Sequence, residues 1–167
     1  MTRPIVSALN SEGFRPTPAD TQSVADILER ELDATIHEWM GLVEKDPDLT
    51  KIPLNFDDRT GHLPKLLHDV IARLRLDKGT KAPLSVAASD HGKLRKQQGY
   101  TAAMVVDESR ILQVSIFSTL HRNETRLEFS KLLADVVTIA DEVDAQLKQQ
   151  ILCFPLGEDV EKKEGTK

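Results

Sequence analysis

The sequence predicts an all-α domain: about five helices in an antiparallel bundle or a globin-like packing, with a long C-terminal helix. Three observations carry this. Apolar residues recur at gaps of three and four through most of the 167 residues. Nowhere do they alternate over a strand length with turn signals at both ends. Stop signals at Pro47, Gly79 and Gly99 cut the periodic stretches apart.

Residues 1–16 contain Pro4, Gly13 and Pro16 without periodicity and read as a flexible arm. A helix start is expected at Thr17, with Pro18 at the first helical position and Asp20 three residues on. The stripe Val24, Ile27, Leu28, Leu32, Ile36, Trp39, Met40 and Val43 continues it as one helix. It should stop near Asp46-Pro47, because proline disfavours helical geometry in the residue before it. Residues 46–60 read as a connector.

The second helix is expected from about Thr60, with the stripe Leu63, Leu66, Leu67, Val70, Ile71 and Leu74 and Gly79 as its C-terminal cap. Pro83 should open the third, which Gly99 stops. Thr101 is a candidate cap for the fourth. That helix carries Met104, Val105, Glu108, Ile111, Leu112, Ser115, Ile116, Thr119 and Leu120 on one face. The fifth should run from about Glu124 to Leu152, roughly 43 Å at the helical rise, long enough for one end to project. Its stripe is Leu132, Leu133, Val136, Ile139, Ala140, Val143, Leu147 and Ile151. Residues 17–154 thus form one domain, and 155–167 a mobile charged tail.

Composition excludes several classes. Apolar residues make up 40% of the chain, too many for disorder. Cys153 is the only cysteine, so no disulfide framework exists. No run approaches the ~20 apolar residues of a membrane span, and Met1–Asn10 has no signal-peptide core. A cytoplasmic protein is expected. The net charge of −5 argues against nucleic acid as a partner. The charge is uneven: Arg73, Arg75, Lys78, Lys81, Lys93, Arg95 and Lys96 crowd one stretch, opposed only by Asp77 and Asp90. That is a solvated face or a contact for an acidic partner.

The third helix is the informative one. His91, Arg95 and Gln98 fall on the face with Leu84, Ala87, Ala88 and Leu94 that should pack inward. Because the junction to the fourth helix is short, the two should form an αα-hairpin. Counting away from the turn brings His91 level with Glu108 and Arg95 near Met104 and Val105. A buried His91–Glu108 pair follows, with Arg95 in reach. Two meanings are open. The pair fixes helix register, since buried charges need partners, or it serves a pocket or a proton-responsive switch.

The other candidates are weaker. His37-Glu38 lacks the second histidine of a zinc-protease motif, because position 41 is glycine. His62 and His68 do not share a helix face, and His121 suits a helix C-terminus. Paired Glu-x-x-His motifs of a di-iron bundle are absent, so no metal and no cofactor is expected. Haem needs only one axial histidine, His91 or His68, and remains the alternative. Cys153 reads as a packed or idle thiol and Trp39 as core. No phosphate loop or nucleophile elbow occurs.

The stretch His91-Gly92-Lys93-Leu94-Arg95-Lys96-Gln97-Gln98-Gly99-Tyr100 resembles the HG-x-x-R-x-x-QGY signature of the RsbRD N-terminal domain family. Val105–Leu112 resembles that family's v-x-E-[FY]-x-x-L helix, Ile36-His37-Glu38-Trp39 its tryptophan near the end of the first helix, and Leu63–Ala72 its lP-x-L-L-x-x-i helix. The resemblance spans roughly residues 24–150. It implies a non-catalytic sensory domain of bacterial signal transduction, preceding a STAS domain in stressosome-type co-antagonists or a histidine-kinase module. A homodimer joined through the fourth or fifth helix is the expected assembly. His91, Arg95, Gln98, Gly99, Tyr100 and Glu108 match the motif and become ligand-binding or switch candidates. No catalytic residues are implied. The alternative is a small-molecule or haem-binding globin-like domain; a third reading is an enzyme using His91 as general base, which needs an open cleft beside Glu108.

Overall fold

The structure, a computed structural model, describes residues 21–77 and 79–155. The expected arm at 1–16, the Thr17-Pro18-Asp20 helix start and the tail beyond Pro155 lie outside the described residues. Within them the fold is all-α, as the periodicity predicts. The helices are α1 (Val24–Arg30), α2 (Leu32–Val43), α3 (Phe56–Thr60), α4 (Leu63–Arg75), α5 (Val86–Gln97), α6 (Ala102–Arg122) and α7 (Phe129–Ile151). No strand occurs among the described residues; a lone parallel bridge joins Gln22 to Leu127. Among the described residues no helix is long and apolar enough to cross a membrane.

The expected first helix is two. α1 begins at Val24, where Ser23 accepts a hydrogen bond from the Asp26 amide as N-cap. At Glu31 the backbone leaves helical geometry (φ −97°, ψ 17°), and α2 continues beyond. The Thr35 hydroxyl donates to the Glu31 carbonyl and meets the Thr119 hydroxyl across the core. A hydroxyl bonded back into the helix ladder bends it. The apolar stripe survives the bend, so Val24, Ile27, Leu28, Ile36, Trp39 and Val43 are all buried.

The connector is more ordered than its composition implies. A 3-10 turn at Leu49–Lys51 precedes α3, which Asn55 caps by accepting from the Asp58 amide. α4 begins at Leu63, three residues after Thr60, and ends at Arg75. Gly79 therefore does not cap it: Leu76 does, and Gly79 (φ +92°) turns the loop that follows. α5 opens at Val86 behind Ser85, whose side chain accepts from the Ala88 amide. Pro83 and Leu84 lie outside it, and Leu84 is 82% exposed instead of facing the core. Gly99 ends α5 with φ +89°, a conformation glycine takes without steric cost. Thr101 caps α6, and Val105, Glu108, Ile111, Leu112, Ser115, Ile116, Thr119 and Leu120 are buried as expected.

α7 departs most. A 3-10 turn at Glu124–Arg126 and extended Leu127 come first, so the helix has 23 residues, about 34 Å in place of 43. Its C-terminal half is buried through Ile139, Glu142, Val143, Gln146 and Gln150. Its N-terminal half leaves Phe129, Leu133 and Val137 67%, 78% and 62% exposed. The apolar stripe is thus real: Leu132 packs against the core and Val136 is half-buried beside Phe117 and Leu120, whereas Phe129, Leu133 and Val137 lie on a flank that described elements leave largely uncovered. One contiguous core unites α1, α2, α4, α6 and α7.

The expected αα-hairpin of α5 and α6 opens. α5 lies chiefly along α7. A Cβ on Gly92 would stand 2.6 Å from the Gln150 carbonyl oxygen and 2.7 Å from its Cα, so only glycine permits this approach. α5 reaches α6 through long side chains.

Candidate functional site

Those side chains converge on Glu108, 3% exposed in the middle of α6. Its Oε2 accepts from Arg95 Nε at 2.8 Å and stands 3.3 Å from His91 Nε2. Its Oε1 accepts from the Tyr100 hydroxyl at 2.8 Å. The level of His91 with Glu108 is as the short turn predicts. Arg95 joins the pair, as its expected reach allows, with its side chain extending past the level of Met104 and Val105 to the carboxylate itself. All four side chains are buried.

Arg95 is fully engaged. Its Nη2 donates to the Arg59 carbonyl at 2.5 Å, and its Nη1 to the Asp58 carbonyl at 3.2 Å and to Gln98 Oε1 at 2.7 Å. Its guanidinium also lies 4.9 Å from the Tyr100 ring centroid, within cation–π range. Gly99 places Tyr100 by turning the chain back, so that the Tyr100 amide bonds the Arg95 carbonyl. The structure thus brings His91, Arg95, Gln98, Tyr100 and Glu108 into one cluster.

Sequence reasoning missed Arg59. It is 4% exposed, donates from Nη1 to the Tyr100 hydroxyl at 2.6 Å, and donates from Nη2 to the Ile52 carbonyl at 2.6 Å. The one available signal was Asn55 three residues before Asp58, a capping pattern that marks α3. Also missed was the inward polar face of α7. Gln146 donates through Nε2 to the Leu66 carbonyl and to Glu142 Oε1, both at 3.1 Å. Spacing four between Glu142, Gln146 and Gln150, alternating with Ile139 and Val143, was its signal.

Burial pushes the Glu108 carboxyl up, but His91 and Arg95 outweigh it and hold the group below its ordinary value. Burial and then Glu108 drive the Tyr100 phenol far above its usual range. His62 packs against His91 with ring centroids 5.9 Å apart, and burial followed by the nearby His91 lowers its pKa. His62 Nδ1, His91 Nδ1 and Gln146 Oε1 are buried with no hydrogen-bond partner among the described residues. Trp39 closes the cluster, its indole N–H donating to the Glu108 carbonyl at 3.2 Å.

No cleft opens here among the described residues. The space bounded by Trp39, His91, Glu108, Ser109, Gln146 and Gln150 amounts to about 10 Å³. A substrate needs some hundreds of Å³. His91 therefore has neither the cleft required of a general base nor room for a porphyrin. His68 is exposed on α4, beside a separate groove. No group of three or more His, Cys, Asp or Glu side chains is placed to hold a metal among the described residues. Cys153 is half-buried, its thiol facing the Ser89 carbonyl at 3.6 Å.

Comparison with protein-family models, curated proteins and solved structures returns no match to this chain.

Proposed function

We propose that this chain is a non-catalytic sensory or regulatory domain of bacterial signal transduction, similar to the RsbRD N-terminal domain. It works in the cytoplasm as a homodimer and acts on a STAS or histidine-kinase module. The observation that carries the reading is the closure of the signature block on itself. His91, Arg95, Gln98 and Tyr100, with Glu108 and Arg59, engage one another, and the space beside His91 and Glu108 is only about 10 Å³. Their chemistry is directed at shaping the domain, not at a substrate. The exposed Phe129, Leu133 and Val137, one turn apart on α7, support a second copy as the partner. Signal would then pass as a small shift of α7, which α5 grips at Gly92.

The test joins the full chain to the dimerisation and catalytic modules of a sensor histidine kinase and measures autophosphorylation. Tyr100→Phe and Leu133→Asp should each change the rate at least threefold, and light scattering should report a dimer that Leu133→Asp separates. A kinase rate indifferent to both variants and to deletion of the domain overturns the proposal.

A further inference from the structure

Away from the Glu108 cluster, α4, the loop before α5, the start of α5 and Glu142 of α7 enclose a groove of about 490 Å³. That volume suits a small organic molecule. Its lips are apolar: Leu76, Leu84 and Val86 are 38%, 82% and 74% exposed. Its floor is acidic. Glu142 is 6% exposed, and its only hydrogen bond among the described residues comes from the Gln146 amide to Oε1. Asp69 accepts from the Ser85 hydroxyl at 2.5 Å, which ties it to the N-terminus of α5. No ion pair engages either carboxylate among the described residues.

We propose that this groove binds a small organic cation with an apolar tail, its ammonium group on Glu142 and its tail between Leu76, Leu84 and Val86. The buried carboxylate decides the sign of the ligand. Burial pushes the Glu142 carboxyl above its usual range; the Gln146 hydrogen bond and the more distant charge of Arg73 oppose this without reversing it, Asp69 adds to it, and no described residue stands close enough to be a paired countercharge. An ammonium supplies one. An anionic ligand would instead have to sit against Glu142 and Asp69. Lys65 and Arg73 also line the groove, but Lys65 is exposed to screening solvent and Arg73 is half-buried. Charges in the dry floor act more strongly than charges at a wet rim. Asp69 already answers the helix terminus through Ser85, which leaves Glu142 as the anchor. The site shares no lining residue with the Glu108 cluster and stands independently of the regulatory role.

The test uses the full chain and three probes that differ only in head group: hexylamine, hexanol and hexanoate. Binding is followed by amide chemical shifts and calorimetry. Hexylamine should bind at least tenfold more tightly than the other two and shift Ser85, Ala72 and Glu142. Glu142→Gln should bring the amine down to the affinity of the alcohol. Val86→Arg, at an exposed position that does not threaten folding, should weaken all binding in the groove by tenfold or more. The proposal is overturned if hexanoate equals the amine, if the amine preference survives Glu142→Gln, if Val86→Arg changes nothing, or if no probe perturbs the groove at millimolar concentration.

Discussion

Tyr100→Phe isolates one atom of the buried cluster. The hydroxyl accepts from Arg59 Nη1 at 2.6 Å and donates to Glu108 Oε1 at 2.8 Å. Both partners are ionisable and buried, and each hydrogen bond to such a group contributes about 1.5–3 kcal/mol. The ring stays, so no cavity opens and no apolar area is lost. Arg59 keeps the Ile52 carbonyl and Glu108 keeps Arg95, which limits the damage. A loss of about 2–4 kcal/mol follows from these hydrogen-bond values, a large share of a single domain's stability. Trp39 is the only tryptophan and its indole bonds the Glu108 carbonyl, so its fluorescence reports on the cluster during urea unfolding. A shift below about 0.5 kcal/mol at unchanged m-value would refute the reasoning, because it would mean that the hydroxyl bridges nothing. A cycle with Arg59→Met provides the cross-check: the two substitutions should be strongly non-additive.

His91→Ala should cost about 1–3 kcal/mol and less than Arg95→Met, because Arg95 and Tyr100 still hold Glu108; thermal unfolding that ranks the two in the opposite order counts against this. Gly92→Ala drives a Cβ to 2.6 Å from the backbone of Gln150, so α5 and α7 must part. The overpacking should cost about 2–3 kcal/mol, and a neutral melting temperature would show that the helices are not in backbone contact. Acid should destabilise the domain in two stages. The lowered His62 pKa makes its contribution full above about pH 6.5 and loses it as pH falls through the folded value. The lowered Glu108 pKa makes its contribution full above about pH 4.3 and loses it below. His62→Phe should remove the first stage of a urea-midpoint titration and leave the second.

The Glu108 cluster was legible because polar side chains interrupted an apolar stripe. His91 and Arg95 on one helix and Glu108 on the next could be matched across a short turn. Arg59 was not legible, because its five-residue helix is too short to show a period. The bend at Glu31 was hidden for a related reason. Both sides keep the same stripe, and only the Thr35 hydroxyl distinguishes a bent ladder from a straight one. α7 shows the opposite failure. Leu133 has the correct phase, yet phase records which residues share a face and not whether anything lies against it. Glu142, Gln146 and Gln150 share a buried face that a search for apolar residues passes over.

The Glu108 cluster also constrains how this sequence can change over generations. One carboxylate serves Arg95, Tyr100 and His91, while Arg59 and Arg95 take further support from the carbonyls of Ile52, Asp58 and Arg59. Replacing the whole set by apolar residues of similar volume could yield a domain as stable. No single substitution leads there, because replacing Glu108 or Arg95 alone strands a buried charge and replacing Tyr100 or His91 alone takes a partner away from one. Drift at these positions therefore has to cross a valley of poorly folding intermediates. Neighbouring apolar positions such as Ile111 or Leu112 face no such barrier, since they exchange volume for volume. Distant descendants of this chain should keep the cluster intact long after the rest of the core has been rewritten.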